Sequence, residues 1–532
     1  MLNRSTRSTI SYSDTNSFSK LVLDYLSGDE KLKPFYNLFP SIDSFKTAID
    51  LKSKEKTNRE LLVKVLEQQY LDIDASELVK NNIKSLLDKN TYTVTTGHQL
   101  CLFTGPLYFL YKVVDIINLA KTLNQHYPDH DFVPIYWMVT EDHDFAEINH
   151  AHVFGKKIEW VKEVAGPIGR IETTSLESII VELEEVLGDH ENAKYLIGLF
   201  KDSYLKHDNL AKATQYLVNE LFGEYGLVIL DPDCKELKNE FTDIIKSDII
   251  EQTNYKLVNE TIDELKSAGY HDQVKPREIN VFYLEDDLRA RIVEESGKYQ
   301  VLDNEISFTK EELENELEKN SEKFGPNVVT RPLYQEKILP NLAYIGGGAE
   351  VAYWFEYKKM FEHHNIAFPI IFLRNSVMVL DEATQKNMEK LQLIETQLFK
   401  DENTLIKEYV EANSNEEITL KEEMNAMNEI FVKVVKKTEY VDKSLVGMIM
   451  AENKKQVNAF NNIEGRLRKA EKAKFETEQN KINKIKEKLF PDGHLQERHD
   501  NFITYYMRYE KDFIGSLIEH LDPLEFKFTI LK

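Results

Sequence analysis

Cysteine is almost missing from this chain of 532 residues, which has only Cys101 and Cys234. Two thiols cannot make a disulfide framework, so a reducing compartment, the cytoplasm, is expected. Long hydrophobic runs are missing too. No apolar stretch approaches the ~20 residues of a membrane-crossing helix, and the polar segment Met1–Lys20 lacks the apolar centre of a secretory signal. Positive charge is in deficit, with 67 Lys and Arg against 91 Asp and Glu and a formal net charge of −24. That balance argues against a nucleic-acid footprint, which needs clustered Lys and Arg, and against docking on anionic lipid. It leaves room for a local basic pocket that meets a small anion. Zinc-site spacing is lacking as well. Asp142, His143, Asp144, Glu147, His150 and His152 supply ligand types without a helical His-x-x-x-His pair, and no metal is expected.

What is present is material for several folding units: 42% apolar residues for buried cores and 30% charged residues for solvated helix. The opening part reads as helical, with Leu61, Leu62, Val65 and Leu66 at helical spacing. From Tyr92 a β-branched run leads to Gly97. A helix follows, its start marked by Gly105-Pro106 with Thr104 as candidate cap and its apolar stripe by Leu107, Leu110, Tyr111, Val114 and Ile117. A second apolar run, Phe132 to Val139, ends abruptly in Glu141-Asp142-His143-Asp144. Strand, loop, helix and strand make a βαβ unit, and in open α/β sheets ligands sit outside the carboxyl ends of the strands.

Further along, the residues divide the chain into expected parts: a core over 1–160, a helical and mixed insertion over 161–225, and a returning core segment over 226–270. A small antiparallel β insertion is expected over 271–325, and more core over 326–383, resuming at Asn327–Arg331. From 384 to 492 proline and glycine thin out, and apolar residues recur at 4-3 spacing: Leu420, Met424, Met427, Phe431 and Val434, then Phe460, Ile463, Leu467 and Ala470, then Ile482, Ile485 and Leu489. That spacing indicates a coiled coil, with polar breaks near Asn413 to Glu417 suited to an antiparallel hairpin. Residues 493–532 are expected to pack back on the core.

Two polar clusters lie where a βαβ unit puts chemistry. The first loop, Thr96 to Pro106, offers backbone N–H groups and a helix N-terminus to a phosphate or carboxylate, with His98 as a possible donor. It lacks the GxxxxGK[ST] pattern of a Walker loop. In the second, four ionisable groups in a row after an apolar strand must be solvated, paired or bound to ligand. His143 among carboxylates suits a general acid or base. Gly346-Gly347-Gly348 precedes a helix with Glu350 in its first turn, while Arg331 and Arg374 each end an apolar run, where a bidentate anion ligand would be placed. Tyr353 and Trp354 suit packing, and Cys101 reads as structural.

Taken together, TTGHQLCLFTGPLYFLYK, VPIYWMVTEDHDFAEINH, PNVVTRPLYQEKILPNLAYIGGGAEVAYW and LFPDGHLQER span most of the chain in order. They resemble the signatures of the bacillithiol biosynthesis protein BshC family, the cysteine-adding enzymes. His98 departs from the Gln of many relatives, and Gly348 from a Pro. The resemblance implies an α/β fold: a Rossmann-like core similar to class I synthetases and nucleotidyltransferases, with connecting-peptide insertions and an α-helical coiled-coil domain that makes a homodimer. It implies ligation of L-cysteine to glucosaminyl-malate, the last step in making the low-molecular-weight thiol bacillithiol.

On that basis Asp142, His143 and Asp144 are the expected catalytic residues, positioning the amine or managing its proton. Substrate is expected against Thr96, Gly97, His98, Gln99, Thr104, Gly105, Tyr108 and Lys112, against Glu141 and Asn149, and against Gly346, Gly347, Glu350, Tyr353 and Arg374. ATP or ADP would fit the fold as the activating cofactor, with no nucleic acid and no membrane as partner. Two other readings stay open: another ATP-dependent aminoacyl-adenylating or nucleotidyl-transfer enzyme, although HIGH and KMSKS signatures are lacking, and a coiled-coil assembly protein whose α/β part only binds ligand.

Overall fold

The computed structural model describes residues 6–414 and 419–532. Five strands form a parallel sheet: β1 (Thr91–His98), β2 (Asp131–Met138), β3 (Val228–Leu230), β4 (Asn341–Gly346) and β5 (Ile370–Leu373). Their order across the sheet is β5-β4-β1-β2-β3. The chain therefore winds outward from β1 in one direction through β2 and β3, then returns to β1 and winds the other way through β4 and β5. This is the doubly wound arrangement, and its switch point lies between β1 and β4.

The strands suit this position because both of their faces are covered. β1 is buried along its whole length and β2 at every position after Asp131, as strands of a parallel sheet must be. β1 reaches that state with threonines rather than aliphatics. Thr93 and Thr95 donate to Asn341 Oδ1 at 3.1 and 2.9 Å, and Thr96 donates to the Ile345 carbonyl at 2.7 Å. Three buried hydroxyls are thus satisfied by β4, and they tie the two strands that flank the switch point.

Helix α1 (Tyr108–His126) packs on β1 and β2, buried nearly all round. It starts later than the sequence suggests. Thr104 does not cap it: the threonine closes a short 3-10 turn, Leu102–Thr104, at φ +71°, and its buried hydroxyl has no partner. The C-terminal segment braces this turn instead. Asn501 Nδ2 donates to the carbonyls of Phe103 and Gly105 at 2.8 and 2.7 Å, and Leu107 N donates to the Asp500 carbonyl at 2.9 Å.

The insertion is antiparallel as expected, with strands Ser307–Phe308, Lys298–Val301, Leu288–Glu295, Val281–Glu285 and Phe324–Pro326 side by side in that order. The stretch Asn327–Arg331 does not resume the core as a strand. Asn327 Oδ1 accepts from the amides of Val329 and Thr330, turning the chain into the helix Arg331–Ile338. Near the chain ends, Arg7–Ser11, Lys527–Leu531 and Val377–Val379 join in a three-stranded sheet.

Contacts divide the chain into two compact units, 1–379 with 494–532, and 380–493. The second unit is helical. Lys421–Val441 and Val446–Lys474 pack against each other across the turn Lys443–Leu445, an antiparallel hairpin. Of the expected break, Asn415 to Glu417 lie outside the described residues, while the helix Glu402–Asn413 ends just before it. Among the described residues no helix is long and apolar enough to cross a membrane.

Candidate active site

A cavity of about 760 Å³ opens at the carboxyl ends of β1, β2 and β4, where the sheet topology places a ligand crevice. Gly97, His98 and Gln99 from β1, Glu141, Asp142 and His143 from β2, and Tyr344 from β4 make one side. The antiparallel insertion faces them with Phe282, Arg289 and Arg291, and Arg331 closes the gap between the two.

Asp142 and His143 sit at the mouth of β2. Asp142 accepts from Gln99 Nε2 at 2.7 Å and from the His143 amide at 2.8 Å. Burial would raise its carboxyl, but the bonds from His143 and Gln99 and the nearby Arg289 charge outweigh burial and hold it well below the usual carboxylate range. The His143 ring is half-exposed, with Nδ1 3.5 Å from the Asp142 carboxylate and 2.6 Å from Arg289 Nη1. In the neutral ring the shorter contact prevails and a guanidinium N–H donates to Nδ1, whereas a protonated ring would turn its Nδ1 hydrogen to Asp142. Asp144 is turned away. It is exposed outside the cavity and precedes the short helix Phe145–Ile148.

Glu141 lines the cavity floor yet acts as a strut. It pairs with Lys238 at 2.7 Å, Lys238 pairs with Asp233 at 2.8 Å, and Arg170 grips both Asp233 oxygens at 2.8 and 3.0 Å. Burial pushes the Glu141 carboxyl up against the pull of Lys238.

The first loop does not form an anion cradle. Lys112 is held by Glu350 at 2.5 Å and by the Gly97 carbonyl at 3.0 Å, so its charge is already used. The amide just before α1, that of Leu107, is taken by the Asp500 carbonyl. Thr104, Gly105 and Thr96 lie off the cavity, with Thr96 spent on the Ile345 carbonyl. His98 is buried, stacked on Phe109 with ring centroids 5.1 Å apart. Burial and the neighbouring Lys112 charge push its imidazole down to about 3, so it is neutral at pH 7. Burial likewise pushes the Cys101 thiol up to about 12, which makes it a poor nucleophile. Tyr108 remains in the cavity wall.

At β4 the glycines serve Glu350. A Cβ on Gly346 would lie 2.8 Å from Glu350 Cβ. The Gly347 amide and Tyr344 hydroxyl donate to that carboxylate at 2.7 and 2.6 Å. Glu350 and Tyr353 reach the cavity, whereas Gly346 and Gly347 do not line it. Arg374 also lies off the cavity, in a buried ion pair with Glu497 at 2.7 Å. Asn149 is taken up locally, donating to the Trp160 carbonyl at 3.1 Å.

Arg289, Arg291 and Arg331 are the groups that sequence reasoning missed or left open. Among the described residues each has a buried nitrogen without a partner: Arg289 Nε, Arg291 Nε and Arg331 Nη2. Arg331 spends another nitrogen on Gln335 at 3.0 Å, and its guanidinium lies 5.6 Å from the Tyr344 ring centre. A signal for the first two was present: residues two apart on a strand share a face, and Arg289 and Arg291 do so within Leu288–Glu295.

Fold and site together define a Rossmann-like α/β protein with a polar ligand cavity at the switch point and a separate helical unit. Residues 6–375 match the family model described as "Bacillithiol biosynthesis BshC, N-terminal Rossmann-like domain", and residues 377–532 match "Bacillithiol biosynthesis BshC, C-terminal coiled-coil domain". The chain belongs to this BshC family. It is 46% identical to a protein of Flavobacterium psychrophilum, over 98% of this chain and 99% of the relative. Identity is 44% to one of Christiangramia forsetii, covering 98% of both, and 28% to one of Bacillus cereus, covering 96% and 98%. All three carry the name "Putative cysteine ligase BshC". Residues 494–532, inside the second match, fold with the first compact unit.

Proposed function

We propose that the chain is a ligase of bacillithiol biosynthesis that joins the carboxyl of L-cysteine to the amine of glucosaminyl-malate. The observation that carries this reading is an ionised carboxylate beside an imidazole, Asp142 and His143, set opposite guanidinium groups with unpartnered nitrogens in one cavity. The names of the relatives supply the reaction class.

Each group has a task in this reaction. Arg289, Arg291 and Arg331 meet the carboxylates of the malate part, as guanidinium groups suit planar anions. His143 takes a proton from the substrate ammonium, freeing the nitrogen lone pair for attack on the cysteine carbonyl. Asp142, fixed by Gln99, stabilises the charged imidazole that results. Glu350, Lys112 and Tyr344 keep the β4 side of the cavity in place.

A carboxylate is a poor electrophile; a bound ATP would supply its activation, and the carboxyl C–O bond would break, with phosphate or AMP carrying away the oxygen, as the C–N bond forms. The start of α1 does not fit a phosphate, because the Asp500 carbonyl takes the Leu107 amide and presents an acceptor there. Lys275 and Arg277, also in the cavity wall, do fit one and would hold it. We further propose that the chain works in the cytoplasm as a homodimer through the helical hairpin of the second unit, which leaves Ile430, Met450, Ile463 and Leu467 exposed. The test is mass spectrometry of purified chain incubated with cysteine, glucosaminyl-malate and ATP. The cysteinyl amide should appear, and its absence with every activating donor would overturn the assignment.

A further inference from the structure

Arg289 is an unusual neighbour for a base. Among the described residues its guanidinium makes one hydrogen bond, to His143 Nδ1 at 2.6 Å. Its central carbon lies 3.8 Å from the centre of the Phe282 ring, and its Nε is buried without a partner. The nearest acidic group of the site, Asp142, is committed to Gln99 and to the His143 amide. This partly buried cation has the Asp142 and Glu141 charges nearby, but its direct contacts are an aromatic face and an imidazole nitrogen, a weak substitute for a hydrogen-bonded anion. The same contact occupies the lone pair that His143 would need to accept a proton.

We propose that Arg289 gates His143: it ties up Nδ1 in the free protein and releases it when an anionic group of the substrate claims the guanidinium. The site then has no free base until substrate is seated. After release, a proton moves from the substrate ammonium to Nδ1 while Nε2 keeps its own. The imidazole becomes the cation, and the amine regains its lone pair. Arg289 is in this sense a positioning residue, and Phe282 is the platform that holds it over His143. The anion is a carboxylate or a phosphate, since a guanidinium binds both. The inference rests on the ligase reading for its substrates.

Carbethoxylation by diethyl pyrocarbonate reads the lone pair directly, because the reagent attacks unprotonated, uncommitted imidazole nitrogen. The experiment uses the full chain without cysteine, with peptide mass spectrometry reporting His143 and the exposed His271 as internal reference. His143 should react slowly in the free protein. Saturating L-malate or ADP should accelerate it by about tenfold, the equivalent of one charge-assisted hydrogen bond. Acceleration by malate alone identifies a carboxylate as the opening group, and acceleration by ADP alone a phosphate. Arg289→Gln should react fast from the start and ignore both anions, with His271 unchanged. A His143 rate that neither anion raises would overturn the gate, and so would a folded Arg289→Gln protein reacting at the wild-type rate. Neither result bears on whether the amide product forms, so failure of the gate and failure of the ligase reading are separable.

Discussion

His98 shows how one side chain can be chemical by type and structural by place. Its imidazole is depressed from the ordinary 6.5 to about 3 by burial and by Lys112, so the folded chain takes up fewer protons than the unfolded chain between those values. Stability from this site is complete above pH 6.5 and is lost as pH falls toward 3. At pH 5 the loss is about 2 kcal/mol. His98→Gln should remove that dependence: the melting temperature of the variant should fall less between pH 7.5 and pH 5 than that of the wild type. Equal falls would mean that His98 is solvated. Asp142 and His143 line the same cavity as His98 but, unlike it, keep their side chains accessible. His143→Ala should lower kcat/KM by about 10²- to 10⁴-fold, the span of general base catalysis, and Asp142→Asn should lower it in the same direction. Asp144→Asn, outside the cavity, should cost far less; steady-state kinetics on the three variants checks the ranking.

Among the elements, the loop between β1 and α1 is where sequence and structure part. A glycine, a proline and a threonine before a helix look like a phosphate cradle, and local chemistry gives no warning otherwise. The turn is held by Asn501, separated from Gly105 by 396 positions, a contact that no local pattern can carry. Gly105 itself has φ +71°, and a Cβ there would lie 2.6 Å from Cys101 Cβ. Gly105→Ala should therefore destabilise the first unit by about 1–3 kcal/mol, read as a lower melting temperature. An unchanged melt would show that the turn can relax. The βαβ unit was legible because β1, α1 and β2 follow one another and their periods differ. The order of the sheet was not legible, since β4 joins β1 across an intervening insertion. Asp142 and His143 were readable as charge at a strand end. Arg289 was readable only as a face of an insertion strand, and nothing in the sequence says which cavity that face meets.

For the molecule as a whole, two compact units carry different duties. The first holds the cavity, its termini joined to Val377–Val379 through a shared three-stranded sheet. In the second, neither Lys421–Val441 nor Val446–Lys474 buries a residue, although both bear apolar side chains at heptad spacing. Such helices need a partner. Ile463→Lys with Leu467→Lys should convert a dimer to a monomer by light scattering; a dimer that survives places the interface elsewhere. The central claim concerns the cavity, and one measurement meets it most directly. Wild-type chain, His143→Ala and Arg331→Gln would each be incubated with isotopically labelled cysteine, glucosaminyl-malate and ATP, and the cysteinyl amide followed by mass spectrometry. The expected result is labelled amide from the wild type, formation slowed by about 10²- to 10⁴-fold in His143→Ala, and a raised KM for glucosaminyl-malate in Arg331→Gln. Amide formed equally by all three proteins would place the chemistry outside this cavity.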